Sequence, residues 1–234
     1  MKQLLPLLLL LFSLSANAQW RFSPHYLEAG AMLGVTSYSG DITAKRIDLQ
    51  ELRPGYGAFV RYHLDKHFAV KGHIYGGTIS GDDKYSAVKA PRSFKFGTSI
   101  FEIATCLEWH LFGRERFSDT GLHNFFITPY GFVGVGVTFA DARAEYYGPP
   151  DRRDDFLKVP LPEEGLKTTF LLAPVGGGIR LDFYERFIFG LEGGFRPVFS
   201  DDIDGVSQNG NPKRNDWYYF FGATISYILN GPEY

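Results

Sequence analysis

One pattern recurs eight times along the chain. In runs of about ten residues, apolar side chains alternate with small or polar ones. A period of two sends successive side chains to opposite faces of a strand. The first run sets Leu27, Ala29, Ala31, Leu33 and Val35 against Glu28, Gly30, Met32, Gly34 and Thr36. The fourth sets Phe101, Ile103, Leu107, Trp109 and Leu111 against Glu102, Ala104, Cys106, Glu108 and His110. The last sets Trp217, Tyr219, Phe221, Ala223, Ile225, Tyr227 and Leu229 against Gly222, Thr224 and Ser226. The other five centre on Val60, Ile74, Val135, Ile179 and Leu191. So many two-faced strands predict an antiparallel sheet closed on itself, because closure removes unpaired edges.

A soluble barrel and a membrane barrel both alternate, and composition separates them. The polar face is mostly Gly, Ser, Thr and Ala, whereas a water-facing surface carries far more Lys and Glu. Aromatic residues make up 17% of the chain and crowd the strand ends. Tyr26, Tyr38, Tyr62, Phe94, Trp109, Tyr130, Phe183, Phe199, Trp217 and Tyr218 are expected to form interfacial girdles. The fold expected is an all-β, eight-stranded antiparallel transmembrane β-barrel with a polar, filled lumen. Beyond the N-terminus no run reaches the roughly 18 apolar residues of a membrane helix, so strands must do the crossing.

The links between runs alternate in length. Asp65-Lys66-His67 and Tyr184-Glu185-Arg186 are hairpin-sized, and residues 112–124 make a longer polar link. Residues 39–53, 81–93, 141–168 and 200–216 form four long links. Short turns at one end and long loops at the other are the layout of outer-membrane barrels, and an even strand count returns both termini to the periplasm. The start of the chain agrees. Met1-Lys2, an apolar stretch at 4–14 and Ala16-Asn17-Ala18 form an export signal over 1–18, with one domain over 19–234.

The inward face carries Glu28, Glu102, Glu108 and Glu192 against Arg61, Lys71, Arg180 and Arg196. Eight strands leave room only for side chains inside. An unpaired ion there costs several kcal/mol, so the near-equal count predicts a structural salt-bridge network rather than an active site.

Other chemistry is thin. A net charge of −2 gives no electrostatic support for a nucleic-acid partner. Cys106 is the only cysteine, which excludes an internal disulfide and leaves a small filler or a bond to another chain. No Cys/His cluster has zinc spacing, and Asp201-Asp202-Ile203-Asp204-Gly205 lacks the ligand spacing of a calcium loop. Ser, His and carboxylate are all present, but no G-x-S-x-G elbow holds them. We therefore expect no catalysis, metal, cofactor or small-molecule substrate.

Several motifs then fall in a telling order. Tyr26-Leu27-Glu28-Ala29-Gly30 leads to Tyr38-Ser39-Gly40-Asp41, followed by Arg53-Pro54-Gly55-Tyr56-Gly57 and Gly81-Asp82. Phe101-Glu102-Ile103, Thr128-Pro129-Tyr130-Gly131-Phe132, Pro174-Val175-Gly176-Gly177-Gly178 and Leu191-Glu192-Gly193-Gly194-Phe195-Arg196 complete the set. The order and spacing resemble the PorG-like outer-membrane barrels of Bacteroidetes over about residues 26–229. The resemblance implies a structural part of the type IX secretion system, associated with the periplasmic ring of PorK and PorN and embedded in outer-membrane lipid. The turn end is then the ring-facing surface, where Arg114 and Arg116, with Glu115 and Asp119, offer contacts. Two other roles fit the same strands: adhesion or envelope stability through the long loops, and a lipid-modifying barrel enzyme.

Overall fold

The structure is a computed structural model. It describes residues 25–39, 49–85, 90–113, 124–156, 161, 166–199, 203 and 216–230. The expected export signal, the Asp201 to Gly205 motif apart from Ile203, and Arg114, Glu115, Arg116 and Asp119 lie outside these residues.

Nine strands form one antiparallel sheet: β1 (Leu27–Ser39), β2 (Arg53–His63), β3 (Phe68–Asp82), β4 (Phe94–His110), β5 (Phe126–Tyr146), β6 (Leu166–Leu172), β7 (Val175–Asp182), β8 (Phe187–Pro197) and β9 (Trp217–Asn230). β1 pairs with β9 to join the ends of the chain. β6 and β7 both lie along β5, one against its upper half and one against its lower half.

Those two strands are one stave of an eight-stave barrel. Val133 pairs with Val175, and three residues further along β5 Gly136 pairs with Leu172, so the register does not slip. On the other side Val175 pairs with Phe195 and Leu172 with Val198, again in step. The ladder is interrupted at Ala173-Pro174 because Pro174 has no N–H to donate, although its carbonyl still accepts from Gly134 N at 2.8 Å.

The barrel is inside out relative to a soluble one. Val135, Leu33 and Leu171 are 71%, 69% and 66% exposed, whereas Glu28, Lys71 and Glu102 on the opposite face are fully buried. An apolar outer belt cannot face water over this area, and a hydrocarbon layer satisfies it. The closed ladder gives every stave of the belt a partner on both sides, as crossing lipid requires.

Two expectations need correction. The strands run further toward the long-loop end than the pattern implied. β3 takes in Gly81 and Asp82, β5 continues from Asp141 to Tyr146, and β6 begins at Leu166, inside the segments read as loops. Their outer positions turn polar there, yet cross-strand pairs such as Lys95 with Glu145 keep the ladder going in water. The girdle was also over-drawn. Tyr62, Trp109, Phe183, Phe199 and Trp217 face outward, but Tyr38, Phe94, Tyr130 and Tyr218 are buried inside. Each lies an even number of residues from a lumen side chain, and that parity decides the face whatever the residue type.

Candidate functional site

The lumen holds the chain's charged chemistry, arranged in layers. At the turn end Glu28 collects Arg61 (2.9 Å), His63 (2.8 Å), Arg180 (2.5 Å) and the Ser226 hydroxyl (3.1 Å). Arg180 also meets Asp182 at 3.1 Å and donates to the Tyr26 hydroxyl at 3.0 Å. The Tyr26 ring stacks on His63 with centroids 4.0 Å apart, which caps this layer.

One layer further in, Glu108 lies 2.7 Å from Arg61 Nε, 3.4 Å from Lys71 and 3.3 Å from His110. Lys71 reaches Glu192 at 2.5 Å, and the Tyr130 hydroxyl donates to the same carboxylate at 2.7 Å. Phe132 lies under the Lys71 ammonium, 4.8 Å from ring centre to Nζ. Its ring occupies space that glycine leaves free: a Cβ at Gly176 or Gly194 would come within 2.7 or 2.8 Å of Phe132 Cζ. The third layer is Glu102, bound by His73 (2.7 Å), Arg196 (3.2 Å) and the Tyr218 hydroxyl (2.5 Å).

Above Glu102 the ion pairs give way to a mainly apolar layer, in which the Tyr38 hydroxyl donates to the buried Asp216 carboxylate at 2.6 Å. Tyr38, Ile79, Phe94, Phe96, Ile100, Phe170 and Val198 pack into a buried apolar cluster toward the long-loop end. Ile203, from the link between β8 and β9, is wholly buried in that cluster, and its carbonyl accepts from the Thr98 hydroxyl at 2.8 Å. Among the described residues the barrel is thus filled by ion pairs over one part of its length and by a mainly hydrophobic plug, with Asp216 and Thr98 hydrogen-bonded within it, toward the long-loop end.

All eight charges expected to face inward do so: Glu28, Arg61, Lys71, Glu102, Glu108, Arg180, Glu192 and Arg196 are buried and in contact. The count itself was short. Asp182 adds a fifth carboxylate, and His63, His73 and His110 stand among the acids, each within ion-pair distance of one. The signal for them was again parity, since each shares a face with a residue already assigned inward. Cys106 is completely buried beside Tyr130 and Phe132. A bond to another chain is therefore sterically closed to it in the folded barrel, and it acts as a small filler.

The arrangement does not form a nucleophile relay. Ser226, Glu28 and His63 do meet, but the carboxylate stands between hydroxyl and imidazole, so the imidazole is not placed to take the serine proton. Among the described residues no group of three or more His, Cys, Asp or Glu side chains is placed to hold a metal ion.

Comparison with known proteins adds the family. The chain belongs to the family described as domain of unknown function DUF6089, whose model matches residues 1–233. No curated protein matches it in sequence. Solved structures that resemble it include a major outer membrane protein from Thermus thermophilus (10% identity, 88% of this chain and 100% of that one, TM-score 0.47). Neisserial surface protein A is another (9% identity, 86% and 96% covered, TM-score 0.47). The attachment invasion locus protein Ail of Yersinia pestis is a third (9% identity, 89% and 100% covered, TM-score 0.46).

Proposed function

We propose that this DUF6089 family member is a non-catalytic outer-membrane barrel that serves as a fixed anchor and works through its rim. The observation that carries this reading is the filled lumen. With Lys71, Glu102 and Arg196 wholly buried in ion pairs and Ile203 seated in the plug, the bore has no room for a solute. Breaking such a network to open a channel costs several kcal/mol per stranded ion.

The rim with the short turns also receives both ends of the barrel, Leu27 and Asn230. It exposes Lys66, Phe112, Tyr184, Glu185 and Arg186. Together with the resemblance to PorG-like barrels, this supports a structural role in type IX secretion, with the turn rim docked on a periplasmic ring of the PorK and PorN kind. Placing a photo-crosslinker at Lys66 or Glu185 in the native membrane tests it. Adducts with the two ring proteins are expected. Absence of such adducts, together with undiminished type IX secretion in a deletion strain, overturns the reading.

A second reading draws on the opposite end. β4 and β5 stay paired out to Phe94 and Tyr146, well past the last apolar outer positions Phe101 and Phe139. That stiff projection suits adhesion or envelope stability. Loss of surface attachment with normal secretion on removal of residues 147–165 is its distinguishing result.

A further inference from the structure

The outer face of the β3–β4–β5 projection carries a cavity of about 370 Å³, within the range of small-ligand sites. Its floor is Gly97. Gly97 pairs with Ser80 on one side and Arg143 on the other, so the three stand in one row on the face that carries Phe101 and Phe139 lower down. A side chain at Gly97 would meet nothing within 4 Å, so the space above it is open. The next row outward is Asp82, Lys95 and Glu145, and Arg53, Glu51, Lys84 and Tyr85 close the flank.

Height decides what can reach this cavity. A strand rising about 3.3 Å per residue at about 40° of tilt climbs roughly 2.5 Å per residue across the bilayer. From Leu111, just past the end of β4, to Phe101 the chain then spans about 25 Å, the depth of an apolar belt. Gly97 lies roughly 10 Å beyond Phe101, at the level of lipid headgroups.

Charge decides what it prefers. Lys84 is held by Asp82 at 2.8 Å and Lys95 by Glu145 at 3.0 Å, while Arg53 is only 3.9 Å from Glu51 and donates to Ser80 at 2.8 Å. Arg143 has no hydrogen bond or ion pair among the described residues and lines the cavity beside the floor. A guanidinium with no partner among the described residues, beside an open floor, suits a phosphate, which it can bind in bidentate fashion. The carboxylates on the same wall would repel a simple phosphodiester but can accept from sugar hydroxyls.

We propose that this cavity binds the phosphorylated sugar headgroup of an outer-leaflet glycolipid, with Arg143 on the phosphate and Glu145 on hydroxyls. The proposal rests on the outer-membrane reading above. It fixes the barrel's height and rotation in the leaflet from one side.

The test uses the full-length barrel in lipid nanodiscs containing bis-phosphorylated lipid A, the same lipid with both phosphates removed, or phosphatidylglycerol, read by native mass spectrometry. One retained bis-phosphorylated lipid per barrel is expected, with at least tenfold weaker retention of the other two. Arg143→Ala and Gly97→Leu should each weaken retention about tenfold, and Arg143→Lys should restore only part of it, because an ammonium keeps the charge but not the two parallel N–H bonds. Heat-shifted gel migration reports that each variant is folded, which the open space at Gly97 permits. Equal retention of all three lipids, or unchanged retention in both variants, overturns the proposal. So does displacement by millimolar inorganic phosphate, which would make this a free-anion site. Membrane fractionation on a density gradient is read in parallel. Recovery away from the outer membrane defeats the location, whereas outer-membrane recovery without lipid selectivity defeats only the site.

Discussion

Lys71 on β3 and Glu192 on β8 face each other across the lumen with 2.5 Å between Nζ and Oε2, although 121 residues separate them in the chain. Neither has water to fall back on. Lys71→Met strands Glu192 and removes the second contact to Glu108, so stability against urea in detergent micelles should fall by about 3–5 kcal/mol. Adding Glu192→Gln should recover half or more of that loss, because the stranded charge is gone. A Lys71→Met barrel as stable as wild type would mean that the network is not structural.

Two glycines on opposite faces should respond in opposite ways. At Gly34 a Cβ would lie 2.2 Å from Phe221 O and 2.5 Å from Gly222 Cα, both backbone atoms. Gly34→Val should therefore prevent closure of the β1–β9 seam and abolish the heat-shifted band of the folded barrel. At Gly72, which faces outward, a Cβ meets nothing within 4 Å. Gly72→Val should fold normally and extend the apolar belt, with a stability change of about 1 kcal/mol or less in the stabilising direction.

Cys106 supplies a probe of lumen closure. Buried beside Tyr130 and Phe132, its thiol should resist a water-soluble maleimide in the folded barrel and react fully in denaturant. Rapid labelling of native protein, or a disulfide dimer on a non-reducing gel, would contradict the filled lumen.

Outside the bilayer, Tyr147 donates to Asp82 at 2.9 Å, and Lys84 binds the same carboxylate. Burial and the bond to the carboxylate push the Tyr147 phenol up to about 12. Burial works against the Asp82 carboxylate, but hydrogen bonds from Lys84 and Tyr147 win and hold it below its ordinary 3.8. The signs follow. The tyrosine's contribution is complete below its ordinary value of about 10 and is lost as pH rises through about 12. The aspartate's is present above 3.8 and is lost on acidification. An ultraviolet titration of wild type minus Tyr147→Phe should show a phenol with a midpoint near 12; a midpoint near 10 would break the pairing.

Much of this architecture can be read without coordinates, and the reasons are local. A side-chain period of two assigns every strand residue to one of two faces, so the inward eight charges and the outward belt from Leu33 to Leu229 follow from counting. Hairpin-sized links such as Asp65-Lys66-His67 identify the turn end in the same way. Parity also places Tyr38, Tyr130 and Tyr218 inward, against the general preference of aromatic rings for interfaces.

What counting could not supply is who meets whom. The partners Lys71 and Glu192, or Glu102 and Tyr218, come from strands that are neither adjacent in sequence nor adjacent in the sheet. They meet because the sheet closes, and closure depends on the stagger between strands, which no single strand encodes. The same holds for the apolar plug, where Ile203 is buried among side chains from several strands, and for the open floor at Gly97, where three strands outlast the membrane. Sequence by itself determined a two-faced barrel wall with balanced charge inside. Only the tertiary structure decided that those charges pair off in layers and that a hydrophobic plug completes the seal, because contact across a lumen is a property of the closed ring.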